Sequence, residues 1–220
     1  MNAEPNNFIE HTNLKTDLSD RDIDQLIKEA KRFKFRGICI PPFWVKKASR
    51  ELMNTDIQLV TVVGFPLGYQ RTESKIKEIE LAIQDGADEL DLVMNISAFK
   101  SGMNWPKIEM AKAAKLAHEN NKLLKVIVET ALLSTEELAN VCKIVSDAGV
   151  DFIKTSTGLS SRGASMQDII TMKENVSNQV GIKASGGIKT LAELKSLVKA
   201  GADRIGTSSG VSIMKEFQNE

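Results

Sequence analysis

The sequence of 220 residues predicts an α/β chain folded as one (β/α)8 TIM barrel, a single domain over residues 1–220. Three observations lead there. Strand-like and helix-like segments alternate from end to end, in the number an eight-unit barrel needs. One junction recurs: Asp85-Gly86-Ala87-Asp88, Ala148-Gly149-Val150-Asp151 and Ala200-Gly201-Ala202-Asp203 each close a helical stretch and open a strand. Gly suits the left-handed position that stops a helix, and the small apolar residue after it packs as the chain turns into the sheet. Finally, the Gly-rich turns come late, after strands six, seven and eight. The rival, an open doubly wound sheet, usually carries its phosphate loop after the first strand, and residues 12–17 hold no Gly. No Pro/Ser/Gly-rich linker divides the chain.

The elements follow in order. Phe8 to Thr12 is a first strand, and Ser19-x-x-Asp22 opens an amphipathic helix to Phe35. Gly37 to Ile40 is the second strand, closed by Pro41-Pro42; Pro42 fits the first turn of a helix to Met53. Ile57 to Val63 is the third strand, ended by Gly64-Phe65-Pro66-Leu67-Gly68, with a helix over Thr72 to Gln84. Leu90 to Met94 is the fourth, and Pro106 starts a helix to Glu119. Leu123 to Val128 is the fifth, before the Ser134-x-x-Glu137 capping box and a helix to Ala148. Phe152 to Thr155 is the sixth, followed by a loop to Gly163 and a helix to Val176. Val180 to Ala184 is the seventh, and Thr190-x-x-Glu193 caps a helix to Ala200. Arg204 to Gly206 opens the eighth, before a last helix over Val211 to Phe217.

Composition excludes several classes. Lys plus Arg number 29 and Asp plus Glu 29, so there is no basic footprint for nucleic acid. No apolar run approaches the ~18 residues of a membrane span, and the start carries no signal-peptide pattern. The expectation is a cytoplasmic protein in which Cys39 and Cys142 stay reduced. His11 and His118 are isolated and the cysteines far apart, so no metal site is expected. Neither G-x-G-x-x-G nor G-x-x-x-x-G-K-[ST] occurs, and no nucleotide cofactor is expected.

The informative anomaly is charge inside strands. Buried parallel strands read as continuous apolar runs. Four here do not: Leu90-Asp91-Leu92, Leu124-Lys125-Val126, Ile153-Lys154-Thr155 and Ile182-Lys183-Ala184. Side chains alternate by two, so Leu90, Leu92, Ile153 and Ile182 face the helices and Asp91, Lys154 and Lys183 face the axis. Lys125 shares a parity with Glu129, which predicts an ion pair between them or their neighbours. On the first strand, Glu10 and Thr12 are expected to face the barrel. An isolated lysine is an ammonium at neutral pH, with a pKa of ~10.4. Burial and a second ammonium nearby disfavour that charge. A neutral lysine attacks carbonyls and forms a Schiff base, and a carboxylate such as Asp91 moves the protons. The pattern reads as a metal-free carbon–carbon lyase with no cofactor. A phosphosugar isomerase using Asp91 as base, and a non-catalytic phosphate-binding barrel, are the alternatives.

An anion site is predicted beside these charges. Ser185-Gly186-Gly187 follows strand seven, and Thr207-Ser208-Ser209-Gly210 follows strand eight. Small residues let backbone N–H groups reach an anion, and helix N-termini add partial positive charge. Thr155-Ser156-Thr157-Gly158 after strand six can contribute. Barrels commonly hold a phosphate at this place.

Taken together, Ile9-Glu10-His11-Thr12, Thr61 to Gly68, Gly86 to Val93, Leu124-Lys125-Val126-Ile127-Val128-Glu129-Thr130, Ile153-Lys154-Thr155-Ser156-Thr157-Gly158, Ile182-Lys183-Ala184-Ser185-Gly186-Gly187-Ile188 and Gly206 to Gly210 resemble the deoxyribose-phosphate aldolases, in order and over almost the whole chain. The resemblance implies a class I aldolase barrel that cleaves 2-deoxy-D-ribose 5-phosphate to D-glyceraldehyde 3-phosphate and acetaldehyde, in deoxynucleoside catabolism. It makes Lys154 the Schiff-base lysine, Lys183 its neighbour that eases proton loss, Asp91 the proton carrier and Lys125 the residue that positions Asp91. It makes Gly158, Gly186, Gly187, Ser208 and Ser209 the phosphate site, with Thr155, Glu10, Thr12 and Cys39 at the substrate. It implies small phosphosugar and aldehyde substrates, and a homodimer. Three departures stand out. Pro41 replaces a polar residue common in relatives. Arg162 stands where relatives tend to have Gly, free to reach the phosphate or water. The C-terminal Tyr of some relatives is absent, Tyr69 being the only one here.

Overall fold

Eight short parallel strands close on themselves in sequence order, each hydrogen-bonded to its chain neighbours and the eighth to the first. The computed structural model describes residues 4–220. The strands are β1 (Ile9–Thr12), β2 (Gly37–Ile40), β3 (Gln58–Val63), β4 (Glu89–Val93), β5 (Leu123–Ile127), β6 (Phe152–Lys154), β7 (Gly181–Ser185) and β8 (Arg204–Thr207). Around them run α1 (Asp20–Phe33), α2 (Val45–Glu51), α3 (Thr72–Gln84), α4 (Ile96–Lys100), α5 (Trp105–Glu119), α6 (Thr135–Asp147), α7 (Met166–Asn175), α8 (Leu191–Ala200) and α9 (Gly210–Gln218). This is the expected (β/α)8 barrel. The differences are local. The helix after β2 begins with a 3-10 turn at Pro42–Trp44. The short helix α4 was not expected. Strand β5 ends at Ile127, one residue early.

The main core lies between sheet and helices. Leu90, Leu92, Val126, Ile153 and Ile182 are fully buried there. Helix α1 shows why a helix docks: Ile23, Leu26, Ile27 and Ala30 recur at a spacing of three and four and form one buried stripe. His11 points the same way, its Nε2 2.9 Å from Glu29 of α1. A second, small apolar cluster stands apart from that core: Cys39, Val60 and Val62, with Leu14 and Phe65 packed against them.

The recurring junction has a structural purpose. Asp88, Asp151 and Asp203 each accept the N–H that opens the preceding strand, from Leu59 at 3.0 Å, Leu124 at 2.8 Å and Ile182 at 2.8 Å. Each also donates its own N–H to that residue's carbonyl, at 2.8, 3.1 and 2.8 Å. The pair satisfies backbone groups at the strand starts that the ladder leaves open. It ties neighbouring strands at the end of the barrel away from the late Gly-rich loops.

At the opposite rim, the loops after β6 and β7 touch. Gly163 and Gly186 approach so closely that a Cβ on Gly163 would stand 2.0 Å from the Gly186 carbonyl oxygen. Gly186 also has a φ of +86°, which only Gly adopts readily. Ala164 N–H donates to Ser185 O at 3.0 Å across the same seam.

Candidate active site

Seven charged side chains from six strands fill the barrel interior. Asp91 of β4 is the hub. Its Oδ1 lies 3.0 Å from Lys125 Nζ of β5; its Oδ2 lies 2.7 Å from Lys154 Nζ of β6 and 2.8 Å from Lys183 Nζ of β7. Glu10 of β1 accepts from Lys183 and stands 3.5 Å from Lys125. Glu89, two residues before Asp91, reaches Lys125 at 2.5 Å, and Arg204 of β8 approaches Glu89 at 3.7 Å. Asp91, Glu10, Lys125 and Lys183 are wholly buried.

The cluster is held together by compensation. Burial by itself would raise the Asp91 pKa, but Lys125, Lys154 and Lys183 overcome it and hold the carboxyl well below its usual range. Glu10 is lowered in the same way, by Lys125 and Lys183 against its burial. Burial opposes the charge on Lys183, yet Asp91 and Glu10 raise its pKa and keep it an ammonium. Lys125 is raised likewise, by Asp91 and Glu10. Four cations thus face three carboxylates. Lys125 has Asp91, Glu89 and Glu10 as partners and Lys183 has Asp91 and Glu10, while Lys154 has Asp91 alone among the described residues. Room for this packing comes partly from Gly206, where a Cβ would stand 3.2 Å from Lys183 Cε.

Lys154 is also the one that opens outward. It lines a cavity of about 250 Å3 at the C-terminal end of the strands; Lys125 and Lys183 do not. Thr12, Phe65, Gly158, Ser185, Gly186 and Ser208 line it too, and Lys15 is its second cation. Among the described residues, no carboxylate lines it. Among the described residues, the backbone N–H groups of Gly158, Gly186, Gly187 and Ser208 donate to no protein acceptor. The cavity therefore joins a buried amine to loops whose backbone N–H groups have no acceptor among the described residues.

Other expected residues fall in distinct places. Thr12 lines the cavity and donates from Oγ1 to Glu10 O at 2.9 Å. Gly187 and Ser209 follow cavity residues in their loops without lining the cavity. Thr155 is buried and bridges β6 to β7 through Ser185, accepting its N–H at 3.1 Å. Cys39, in register with Thr12, is buried beside the charge cluster without lining the cavity, and burial pushes its thiol up to about 11. Tyr69 is exposed and lines a different cavity, between α3 and α5. Among the described residues, no group of His, Cys, Asp and Glu is arranged to hold a metal ion. Among the described residues, no helix is long and apolar enough to cross a membrane.

Two expectations are corrected. Lys125 and Glu129 do not pair: the strand ends between them, and Glu129 turns away with a φ of +53°. Its carboxylate instead accepts from Thr157. Arg162 does not line the Lys154 cavity, and its side chain is about half exposed. Its guanidinium grips Asp168 at 2.5 and 3.1 Å and donates to Thr130 O at 3.1 Å. Two residues were missed, Glu89 and Arg204. Glu89 shares its parity with Asp91, so the alternation already placed it inward once the strand is started one residue earlier.

Fold and site define a class: a (β/α)8 barrel whose C-terminal mouth holds a lysine-centred charge cluster beside an anion-ready rim. The chain belongs to the DeoC/LacD family of aldolases, whose model matches residues 7–216. It is 50% identical over 216 residues to a deoxyribose-phosphate aldolase of Mesomycoplasma hyopneumoniae, covering 98% of this chain and 97% of that one. It is 46% identical over 210 residues to the deoxyribose-phosphate aldolase of Lactococcus lactis, covering 96% and 95%. Among solved structures, a putative deoxyribose-phosphate aldolase from Coccidioides immitis superposes with a TM-score of 0.93 at 35% identity, over 96% of this chain and 85% of that one. The tetrameric deoxyribose phosphate aldolase of Aeropyrum pernix gives 0.91 at 31% identity, over 98% and 92%.

Proposed function

We propose that this chain is a deoxyribose-phosphate aldolase that works through a Schiff base on Lys154. The observation that carries the reading is the position of Lys154. It is the interior lysine that faces the cavity, it is 3% exposed, and it shares one Asp91 oxygen with Lys183. Its neutral amine adds to the aldehyde carbon of open-chain 2-deoxyribose 5-phosphate, and loss of water leaves an iminium. The C3 hydroxyl gives up its proton, the C2–C3 bond breaks, and its electron pair moves into the iminium to make an enamine. Glyceraldehyde 3-phosphate departs. Protonation of the enamine carbon and hydrolysis release acetaldehyde and restore the amine.

The neighbours have separate parts. Lys183 stays charged and opposes protonation of Lys154. Asp91 carries protons to and from the reacting atoms, directly or through water. Lys125 fixes Asp91 from its other oxygen. The free N–H groups of Gly158, Gly186, Gly187 and Ser208, with Ser209 and the cation of Lys15, receive the phosphate. The chain acts on small molecules in deoxynucleoside breakdown, in the cytoplasm.

Incubation with acetaldehyde and borohydride, followed by peptide mass mapping, tests the reading. An ethyl group on Lys154 is expected, with none on Lys154→Arg, whose guanidinium is no nucleophile near neutral pH. An unmodified wild-type chain would overturn the Schiff-base mechanism.

A further inference from the structure

Glu129 is a buried acid outside the charge cluster. It is 4% exposed, and its backbone is left-handed, with φ +53° and ψ +69°. A non-Gly residue in that region carries a local conformational cost and marks a place worth a functional question. The side chain answers it. Its carboxylate accepts from Thr157 N–H, with N–O distances of 3.3 and 3.4 Å, and from Thr157 Oγ1 at 2.5 Å. Thr157 Oγ1 in turn accepts from Leu159 N–H at 3.2 Å. Between those two fastened residues stands Gly158, whose N–H has no protein acceptor among the described residues.

Thr157 and Leu159 form a wall with a cavity on each side. One face lines the Lys154 cavity, and the other lines a smaller one of about 190 Å3 where Glu129 stands. The next residue, Thr130, secures the far end of the same loop through Arg162 and Asp168. The end of β5 therefore holds both ends of the segment that carries Gly158.

We infer that Glu129 is a positioning residue for the phosphate end of the substrate. It touches no substrate; it sets the Thr157–Leu159 turn so that Gly158 N–H points into the cavity. The inference rests on the aldolase reading above, and it separates binding of the phosphate from chemistry at Lys154. Loss of the carboxylate leaves the turn without its anchor, while the seven-charge cluster keeps all its partners.

The test compares steady-state cleavage of 2-deoxyribose 5-phosphate with that of unphosphorylated 2-deoxyribose. The variants are Glu129→Ala, Glu129→Gly and Glu129→Gln. Ala and Gly are expected to raise KM for the phosphorylated sugar about tenfold, equivalent to about 1.4 kcal/mol. Their kcat stays within about threefold, and kcat/KM for 2-deoxyribose stays within about threefold of wild type, because only one binding term is lost. Gly is at home at a positive φ, so its defect reports the carboxylate and not the backbone. Gln keeps an acceptor for Thr157 and recovers most of the KM. Equal losses on both sugars, a Gln variant as impaired as Ala, or unchanged kinetics would each overturn the positioning role. A wild-type chain that cleaves neither sugar would overturn the aldolase reading, and this role with it.

Discussion

Replacing Asp91 by Asn removes one charge and keeps the shape. Three ammonium groups now sit within 3.0 Å of that carboxylate. In the variant Lys154 loses its carboxylate partner, Lys183 keeps only Glu10, and Lys125 keeps Glu89 and Glu10. The interior excess rises from one positive charge to two. Removing one partner of a buried ion pair costs about 3–5 kcal/mol, since the other charge is left unpaired. For a chain of this size each kcal/mol lowers Tm by about 2–4 °C, so the expected fall at pH 7 is about 6–20 °C. The pH dependence follows from the shifts. The folded Asp91 pKa lies below the unfolded value of ~3.9, so its contribution is fully present above that and is lost only as pH falls through the folded pKa. The Lys183 pKa is raised, so its contribution is present below ~10.4 and is lost as pH rises through the folded value. At pH 7 the variant therefore shows its full deficit. The deficit narrows near pH 10, where the unfolded chain's lysines begin to lose their protons and an amine can be buried neutral at little cost. Urea denaturation followed by circular dichroism at both pH values measures this. A loss below about 1 kcal/mol at pH 7 would mean that Asp91 does not hold the interior charges in the way described.

Two further outcomes are expected. Lys183→Leu moves the activity–pH profile to higher pH, because no ammonium then opposes protonation of Lys154; kcat/KM measured from about pH 6 to about pH 10 checks it, and an unmoved profile removes Lys183 from that role. Glu109→Gln strips the carboxylate from buried Lys75, which it contacts at 2.6 Å between α3 and α5; the expected cost is about 3 kcal/mol in a melting experiment, with turnover per folded molecule unchanged, and an activity loss larger than the folded fraction explains would show a link from that layer to the site.

The barrel was legible because its signals are local. Each Gly-small-Asp junction and each capping box is written in consecutive residues, and the inward charges follow from a two-residue alternation. The pairings were not. Whether Lys125 meets Glu129 or Asp91 depends on where β5 ends, and parity fails once Glu129 leaves extended backbone. Glu89 was overlooked through a strand boundary one residue late, next to an aspartate that does belong to the junction. Helix α4 is five residues long and too short to show a period. The Glu129–Thr157 anchor spans 28 residues and the Lys183–Glu10 contact 173, separations at which composition carries no trace of contact.

The interior charges are divided along the chain. Every acid among them, Glu10, Glu89 and Asp91, comes from β1 or β4; every base, Lys125, Lys154, Lys183 and Arg204, comes from β5 to β8. Severed between β4 and β5, each half-barrel would bring like charges together at its axis and resist closing alone. The opposite fragment is what relieves that repulsion, so two pieces cut there attract each other and disfavour pairing with copies of themselves.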